Sequence, residues 1–338
     1  EDAFAGTFDG QGHGIHGLAV VTEKIGDRCY GGLFGNLGKK GVIKNVRVSG
    51  VVKQMLGSGN LGASDKLNYT VGGIAGRSAG VIYGCESSVV LTNGVTYSNC
   101  NYMGGFVGYQ HGGVIEACES YAILYKNGSA NFQSGFGGVT GCSTNASLIR
   151  YTNSHVFIDI GSTVLSNVGG ITGTLSGTSQ IRECRNTGVI NHGCGIVGSV
   201  LEQASVAYAW NEGTTNGENG MGSSTVRRGA AIAGYVKTSG TLSYLYNTGE
   251  CIYGLINDLQ MGTVNHGRSD TVCGLWGTVD LQHSSLHDCI KVDEVNGFES
   301  TKSTGALGEA KLNAAITLLG KMKSCSGCRR RTYFFRIN

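Results

Sequence analysis

The sequence contains no proline in its 338 residues, although it contains 58 glycines. A collagen-like chain is excluded, because such a chain needs proline and a glycine at every third position. Tight turns between short strands, by contrast, use glycine freely. The composition therefore favours a fold with many sharp turns.

Charged residues are also scarce, at 14 % of the chain with a net charge of +3. The one basic block is 329–331, which is too weak a field to indicate nucleic-acid binding. No apolar run approaches the roughly 20 residues of a membrane span. The hydrophobic fraction of 40 % is nevertheless enough to bury a core. The chain opens on Glu1 without a signal peptide, so we expect a processed or partial chain.

A glycine-rich pentapeptide recurs along the chain, first as Gly31-Gly32-Leu33-Phe34-Gly35. Four close copies and three looser ones follow, at 72–76, 104–108, 137–141, 169–173, 194–198, 230–234 and 273–277. The last glycines of successive copies are between 25 and 43 residues apart. The chain must therefore be interpreted as a repeat protein, in which each unit stacks on its neighbours.

A second signature follows each pentapeptide: an apolar residue and, three positions later, a small or apolar one. The first column contains Ile43, Ile82, Ile115, Leu148, Ile181, Val206, Leu242 and Leu286. The second contains Val46, Cys85, Cys118, Tyr151, Cys184, Ala209, Leu245 and Cys289. Both columns are predicted to form an inward core ladder, and a spacing of three breaks strand alternation, so we expect a bend or bulge between them.

Three short strands per repeat, joined by glycine and asparagine corners, are typical of a parallel β-helix. The sequence predicts an all-β solenoid of about nine coils over 1–300, each adding about 4.8 Å. Residues 305–323 have an amphipathic, helix-compatible pattern. We therefore expect 301–338 to form a short helical cap and a tail.

Several segments resemble the GLUG-repeat family. They are Phe4 to His13 with its Phe8-Asp9-Gly10 turn, the pentapeptides, and the Ile-x-x-Cys-x-Asn-Thr-Gly run at 181–188. The resemblance covers about residues 4–290 and continues in part at 308–313. It implies a right-handed parallel β-helix that is secreted or on the cell surface, often adhesin-like or structural, with no shared catalytic motif.

The cysteines allow more than one interpretation. Cys85, Cys118, Cys184 and Cys289 are expected to be buried free thiols, because cysteine packs as a small hydrophobe. A disulfide in this column is feasible only between Cys85 and Cys118, which lie in successive repeats. The Cys325-x-x-Cys328 pair suggests metal or redox chemistry, but no second pair and no βαβ context accompanies it. A flexible or disulfide-closed tail is the favoured interpretation.

Directly after the second column comes an outward column: Arg47, Glu86, Glu119, Thr152, Arg185, Trp210, Tyr246 and Ile290. Glu86 and Glu119 would stand roughly 5 Å apart, near the separation that retaining glycosidases use, as would any stacked surface glutamates. Trp210 and Tyr246 would form a flat aromatic platform, which is the candidate ligand-binding site. The alternative is that an insert such as 213–228 covers them.

The remaining candidates are structural. Asn153, Asn186, Asn211 and Asn247 are expected to form a hydrogen-bonded asparagine ladder at a corner. The pairs His13/His16 and His283/His287 have metal-like spacing only in a helix, and their context is strand and turn. We therefore expect neither a metal nor a cofactor.

The sequence favours a non-enzymatic, extracellular or cell-surface structural or adhesin-like protein, including the subunit of a fibre. Its expected partners are other copies of the chain or surface glycans, through its surface and its open strand edges. The alternative is a β-helix that degrades or binds polysaccharide. Ice binding is disfavoured because regular threonine ladders are missing.

Overall fold

The computed structural model describes residues 3–22, 28–54, 68–93, 100–126, 134–160, 167–216, 230–237, 240–243, 245–247 and 249, with the short strand segments 256–261, 264–265, 285–287 and 290–291. Within these residues the chain is all-β and no helix occurs, as the sequence predicts. The predicted cap and tail at 301–338, and with them the pair Cys325 and Cys328, lie outside the described residues.

The regular structure consists of short strands. In chain order they are β1 Thr7–Asp9, β2 Gly14–Thr22, β3 Arg28–Gly31, β4 Phe34–Leu37, β5 Val42–Lys44, β6 Arg47–Gln54, β7 Asn68–Gly72, β8 Ala75–Ser78, β9 Val81–Tyr83, β10 Glu86–Asn93, β11 Cys100–Gly104, β12 Val107–His111, β13 Val114–Glu116, β14 Glu119–Ser120, β15 Ile123–Lys126, β16 Gly135–Gly137, β17 Thr140–Thr144 and β18 Leu148–Arg150. They continue as β19 Asn153–Ser154, β20 Phe157–Asp159, β21 Asn167–Gly169, β22 Thr172–Leu175, β23 Gln180–Arg182, β24 Arg185–Asn186, β25 Val189–Asn191, β26 Val197–Val200, β27 Ser205–Ala207, β28 Trp210–Asn211, β29 Thr214–Asn216, β30 Ala233–Lys237, β31 Thr241–Ser243, β32 Tyr246–Asn247, β33 Ile256–Met261, β34 Val264–Asn265, β35 Ser285–His287 and β36 Ile290–Lys291.

These strands form four sheets, numbered here in the order in which a repeat visits them. Sheet I has the order β21-β16-β11-β7-β3, and sheet II has the order β34-β33-β30-β26-β22-β17-β12-β8-β4. Sheet III has the order β1-β5-β9-β13-β18-β23-β27-β31-β35. Sheet IV contains β2, β6, β10, β14, β15, β19, β20, β24, β25, β28, β29, β32 and β36. The pairings in the described chain are parallel except that of β33 with β34.

Successive repeats contribute equivalent strands to each sheet. One repeat runs through β7, β8, β9 and β10, and the next through β11, β12, β13 and then β14 with β15. The pairing is in register: Ile82 of β9 aligns with Ile43 in the preceding repeat and with Ile115 in the following one. Equivalent positions of successive repeats are therefore neighbours across these strands.

The glycine pentapeptide forms the tight corner from sheet I to sheet II. Its third residue is fully buried from the second copy to the seventh, as at Ile74 and Phe106, and partly buried at Leu33 in the first. Its second glycine is required sterically: a Cβ on Gly105 would collide with the carbonyl oxygen of Gly138 and with the hydroxyl of Ser120 from sheet IV. The motif thus lets backbone and a buried serine approach where any side chain would intrude.

A left-handed residue makes the bend between sheets III and IV. In the six repeats where the structure describes it, the residue that ends the bend before the buried second column has a φ of 51° to 60°, at Asn45, Gly84, Ala117, Tyr151, Glu183 and Tyr208. One residue in this conformation turns the chain without a loop, so the bend predicted from the spacing of three is confirmed. Only one of these residues is glycine, although the conformation disfavours other side chains.

We predict that Ala117→Gly stabilises the protein by about 0.5–1 kcal/mol, because glycine adopts the left-handed conformation without strain. The matched control is Gly84→Ala at the equivalent bend, where φ is +60°. It should destabilise by a similar amount. Urea unfolding of both variants measures the effect, and two changes of the same sign would contradict the explanation.

Among the described residues, the core ladder follows the predicted pattern except at one repeat. Ile43, Ile82, Ile115 and Ile181 are buried with no exposed surface. Ile149, and not Leu148, continues their column, because Ile149 pairs with Ile115 and with Ile181. The prediction at Leu148 is therefore wrong by one residue.

The same one-residue error carries through the rest of that repeat. Thr152 stands in the buried second column, while Tyr151 is the left-handed residue of the bend. Asn153, and not Thr152, is the outward residue that pairs with Glu119. Because Leu148 and Ile149 are adjacent and both apolar, the sequence is compatible with either residue in the first column.

The corrected register predicts unequal effects of two neighbouring truncations. Ile149→Ala should cost about 2–3 kcal/mol, because it opens a cavity in the core. Leu148→Ala, on the half-buried side of β18, should cost less than about 1.5 kcal/mol. Chemical unfolding of both variants decides the register, and a larger cost for Leu148→Ala would contradict it.

Candidate binding face

The outer face of sheet IV carries the candidate functional residues. Along β10, Ser87, Val89 and Leu91 are buried, whereas Glu86, Ser88, Val90 and Thr92 point outward. The outward positions align across strands into four columns.

The polar column contains Arg47, Glu86, Glu119, Asn153, Arg185 and Trp210. The middle column contains Ser88, Tyr121, His155, Thr187 and Glu212. The apolar column contains Val51, Val90, Ile123, Phe157 and Val189. The rim column contains Lys53, Thr92, Tyr125, Asp159 and Asn191.

Glu86 and Glu119 are neighbours in register but bond in opposite directions. A carboxylate oxygen of Glu86 lies 4.0 Å from Nε of Arg47 in the preceding repeat. The Glu119 carboxylate accepts from Nδ2 of Asn153 at 2.9 Å and lies 3.0 Å from Nε2 of His155, both in the following repeat. These contacts join Glu86 to the preceding repeat and Glu119 to the following one.

A carboxylate, an imidazole and a hydroxyl are connected in series across this face. His155 contacts Glu119 through Nε2, and its Nδ1 lies 2.5 Å from Oγ1 of Thr187. This order of groups is that of a nucleophilic triad. The backbone N–H groups of Thr187 and Val189 donate to carbonyl oxygens, and that of Gly188 donates to the Asn186 side chain. None of these three donors is left for a developing oxyanion.

The His155 ring also stacks on an aromatic neighbour. The Tyr121 ring lies 4.7 Å from it with an interplanar angle of 13°, and Tyr121 is 40 % exposed. Sequence reasoning missed this arrangement, because Glu119 and Tyr121 lie on one repeat whereas His155 and Thr187 lie on the next two. Counting two residues beyond the polar column in each repeat would have found it.

Trp210 does not form an exposed platform. Trp210 belongs to the outward polar column, but only 6 % of its surface is exposed, so the expectation of an exposed aromatic platform is wrong for this residue. The Arg185 guanidinium lies 5.7 Å from the Trp210 ring centroid and also forms an ion pair with Glu212. Tyr246 is the register partner of Trp210, but its side chain lies outside the described residues.

The cysteine column is buried and reduced in the described chain. Cys85, Cys118 and Cys184 are free and at most 2 % exposed. Burial raises the pKa of Cys184 to about 12 and raises that of Cys118, while the hydrogen bond from the Cys118 thiol lowers the pKa of Cys85. Cys289 lies outside the described residues.

Native Cys184 is therefore expected to resist alkylation. Its thiolate is scarce near pH 8. Iodoacetamide should therefore react with Cys184 at least about 1,000-fold more slowly than with an exposed thiol. An exposed control is Ser88→Cys on the outer face. Mass spectrometry of timed samples measures both sites, and equal rates in native protein would contradict the burial.

The asparagine ladder is present at three of its four predicted positions. Nδ2 of Asn186 donates to Oδ1 of Asn211 at 2.8 Å, and Nδ2 of Asn211 donates to Oδ1 of Asn247 at 2.8 Å. Asn153 is not a member, because Ser154 pairs with Asn186. In the three preceding repeats the column contains serines, and Ser87 donates to the Gly105 carbonyl oxygen at 2.6 Å.

The described residues contain no group of three or more His, Cys, Asp and Glu side chains that could hold a metal ion. His16 bonds to Ser49, with 2.9 Å between Nδ1 and Oγ. His283, and the side chain of His287, are outside the described residues. Within that same part of the chain, no helix is long and apolar enough to span a membrane.

Comparisons with family models, curated proteins and solved structures find no match to this chain.

Proposed function

We propose that this chain is a right-handed parallel β-helix of about nine coils, like the GLUG-repeat proteins, and acts as a non-enzymatic structural or adhesin-like scaffold outside the cell. The observation that carries the proposal is the in-register pairing of equivalent residues from successive repeats in all four sheets. Sheet III contains nine strands, one from each successive repeat, which supports the coil number.

Such an arrangement is suited to a mechanical role. Each coil hydrogen-bonds only to its neighbours, and the isoleucine and asparagine columns bind the coils along a buried axis. The result is a stiff spacer with a regular outer surface. Open strand edges at the two ends would let copies join into a fibre.

The outer face of sheet IV supports a role without catalysis. Glu86 and Glu119 each bond to an adjacent repeat, on opposite sides. His155 and Thr187 extend the same chain of contacts from repeat to repeat. These groups connect successive strands, which is what a scaffold requires of its surface side chains.

Crystallography of the purified protein tests the scaffold. Nine strands at about 4.8 Å give a stack on the order of 40 Å long, which is close to the diameter of a compact protein of 35.2 kDa, so the stacking of residues and not the particle shape is decisive. Ile82, Ile115 and Ile181 in one buried column are the expected result, and their separation into different parts of the molecule would overturn the proposal. Release of reducing or unsaturated sugar ends from mixed polysaccharides would overturn its non-enzymatic part.

A second candidate function is polysaccharide binding on the same face. It is favoured by the half-exposed Tyr121–His155 stack, because flat aromatic surfaces bind sugar rings. Tyr121→Ala should then abolish retention on an immobilised polysaccharide. Tyr83→Ala, which removes an equally exposed tyrosine from sheet III, is the control. No retention of the wild type on any polysaccharide tested would exclude this candidate.

A further inference from the structure

The exposed apolar side chains of the described residues are concentrated on one face. Large hydrophobic residues that are more than a third exposed are Val21, Val51, Tyr83, Tyr121, Ile123, Tyr125, Phe157 and Val189. All except Tyr83 lie on the outer face of sheet IV. Their exposed fractions run from 37 % to 55 %. A concentrated apolar surface of this kind marks an interaction site.

The chemistry of the apolar column indicates a protein partner. Val51, Val90, Ile123 and Val189 are β-branched aliphatic residues that offer no hydrogen bond to a sugar hydroxyl. Aromatic residues stand beside them and charged residues stand at the border, as in the centre and rim of a protein interface.

We propose that this face binds the same face of a second copy, forming a side-by-side dimer. The inference rests on the β-helix of the proposed function and adds a lateral contact to it. A second copy has the same strand spacing, so side chains at about 4.8 Å intervals can interdigitate along the whole column.

The size of the face is sufficient for a weak but specific dimer. It spans six strands, β2, β6, β10, β15, β20 and β25, and three columns of side chains. With about 4.8 Å between strands and about 6.6 Å between columns, each copy offers roughly 600 Å². The total of roughly 1,200 Å² is at the lower end of stable protein interfaces.

Charge complementarity selects one register. A two-fold axis parallel to the strands and midway between β10 and β15 reverses the strand order and keeps each column opposite itself. Val51 then faces Phe157 of the second copy, and Val90 faces Ile123. In the rim column Lys53 faces Asp159, twice by symmetry. Glu86 approaches Glu119 of the second copy, but each carboxylate has cationic or amide partners in its own chain.

Sedimentation equilibrium of the full chain over a concentration series tests the contact. The wild type should show a monomer–dimer equilibrium, and Phe157→Lys should raise its dissociation constant by about 100-fold or more. Ile123→Lys should do the same. The control is Tyr83→Lys, at a residue of equal exposure on sheet III. Circular dichroism of each variant verifies folding.

The rim pair tests the register. Lys53→Asp and Asp159→Lys should each weaken the dimer, and the double charge swap should restore it. The lateral contact is overturned if the wild type is monomeric at every concentration, or if its dimer is unaffected by Phe157→Lys. Either result would also be obtained if another protein or a segment of this chain covers the face. A monomeric protein whose isoleucine column is stacked would overturn the dimer alone, whereas isoleucines in unrelated parts of the molecule would overturn the scaffold.

Discussion

Gly105→Ala should destabilise the protein by about 4 kcal/mol, although it adds a single methyl group. The new Cβ would collide with the Gly138 carbonyl oxygen and with Oγ of Ser120. Overpacking of this kind costs about 1–3 kcal/mol. Displacing Ser120 also breaks its hydrogen bond to the Gly138 carbonyl, and a buried hydroxyl left without a partner costs about 1–3 kcal/mol more.

The matched control is Gly35→Ala, at the last glycine of the first pentapeptide. A Cβ there would lie 3.8 Å from the Tyr30 carbonyl oxygen and 4.0 Å from the Tyr30 Cβ, which are ordinary contacts. The control should change stability by no more than about 0.5 kcal/mol. Urea unfolding measures both variants. Equal effects would mean that the glycines contribute turn propensity and not close approach of sheets.

Asn211→Asp should cost about 3–5 kcal/mol near neutral pH, because it places an unpaired charge in the asparagine ladder. Asn211 has no exposed surface. Its Nδ2 donates to Oδ1 of Asn247 at 2.8 Å and to the Gly213 carbonyl oxygen at 3.0 Å. A carboxylate would instead direct an acceptor at both of these oxygens.

The cost of Asn211→Asp should depend on pH. Burial and the facing oxygens raise the pKa of the new carboxyl in the folded state above its unfolded value of about 3.9. The folded state then binds more protons, so stability falls as the pH rises above that unfolded value. Unfolding at pH 4 and pH 7 measures the difference. Asn191→Asp on the outer face is the control and should show little change; a cost for Asn211→Asp that is the same at both pH values would contradict the buried ladder.

The repeat and its strand class were predictable because they depend on local patterns. The glycine pentapeptide and the Ile-x-x-Cys spacing each fall within a few residues, and the structure explains both by close backbone approach and by a left-handed bend. The alignment at Leu148 failed because Ile149 is equally apolar, and only pairing with Ile115 and Ile181 distinguishes them.

The candidate face was less predictable because it depends on register between repeats. Contacts such as Glu119 with His155 join residues 36 positions apart in the sequence, and the inserts make that separation irregular. The burial of Trp210 required knowledge of where Arg185 lies. The apolar column was overlooked because its members lie inside runs of consecutive apolar residues, such as Val89-Val90-Leu91, and such a run does not show which of its residues faces the solvent.

The uniform pairing of each strand with its equivalents has a consequence for evolution. Ile82 and Ile149 both align with Ile115, so Ile82 would align with Ile149 if the unit that contains Ile115 were lost. After removal or duplication of one whole unit, for instance residues 105–137, each strand still pairs with the equivalent strand of a neighbouring unit. Unequal recombination between such units can therefore change the reach of the molecule in discrete steps while its interior chemistry stays the same.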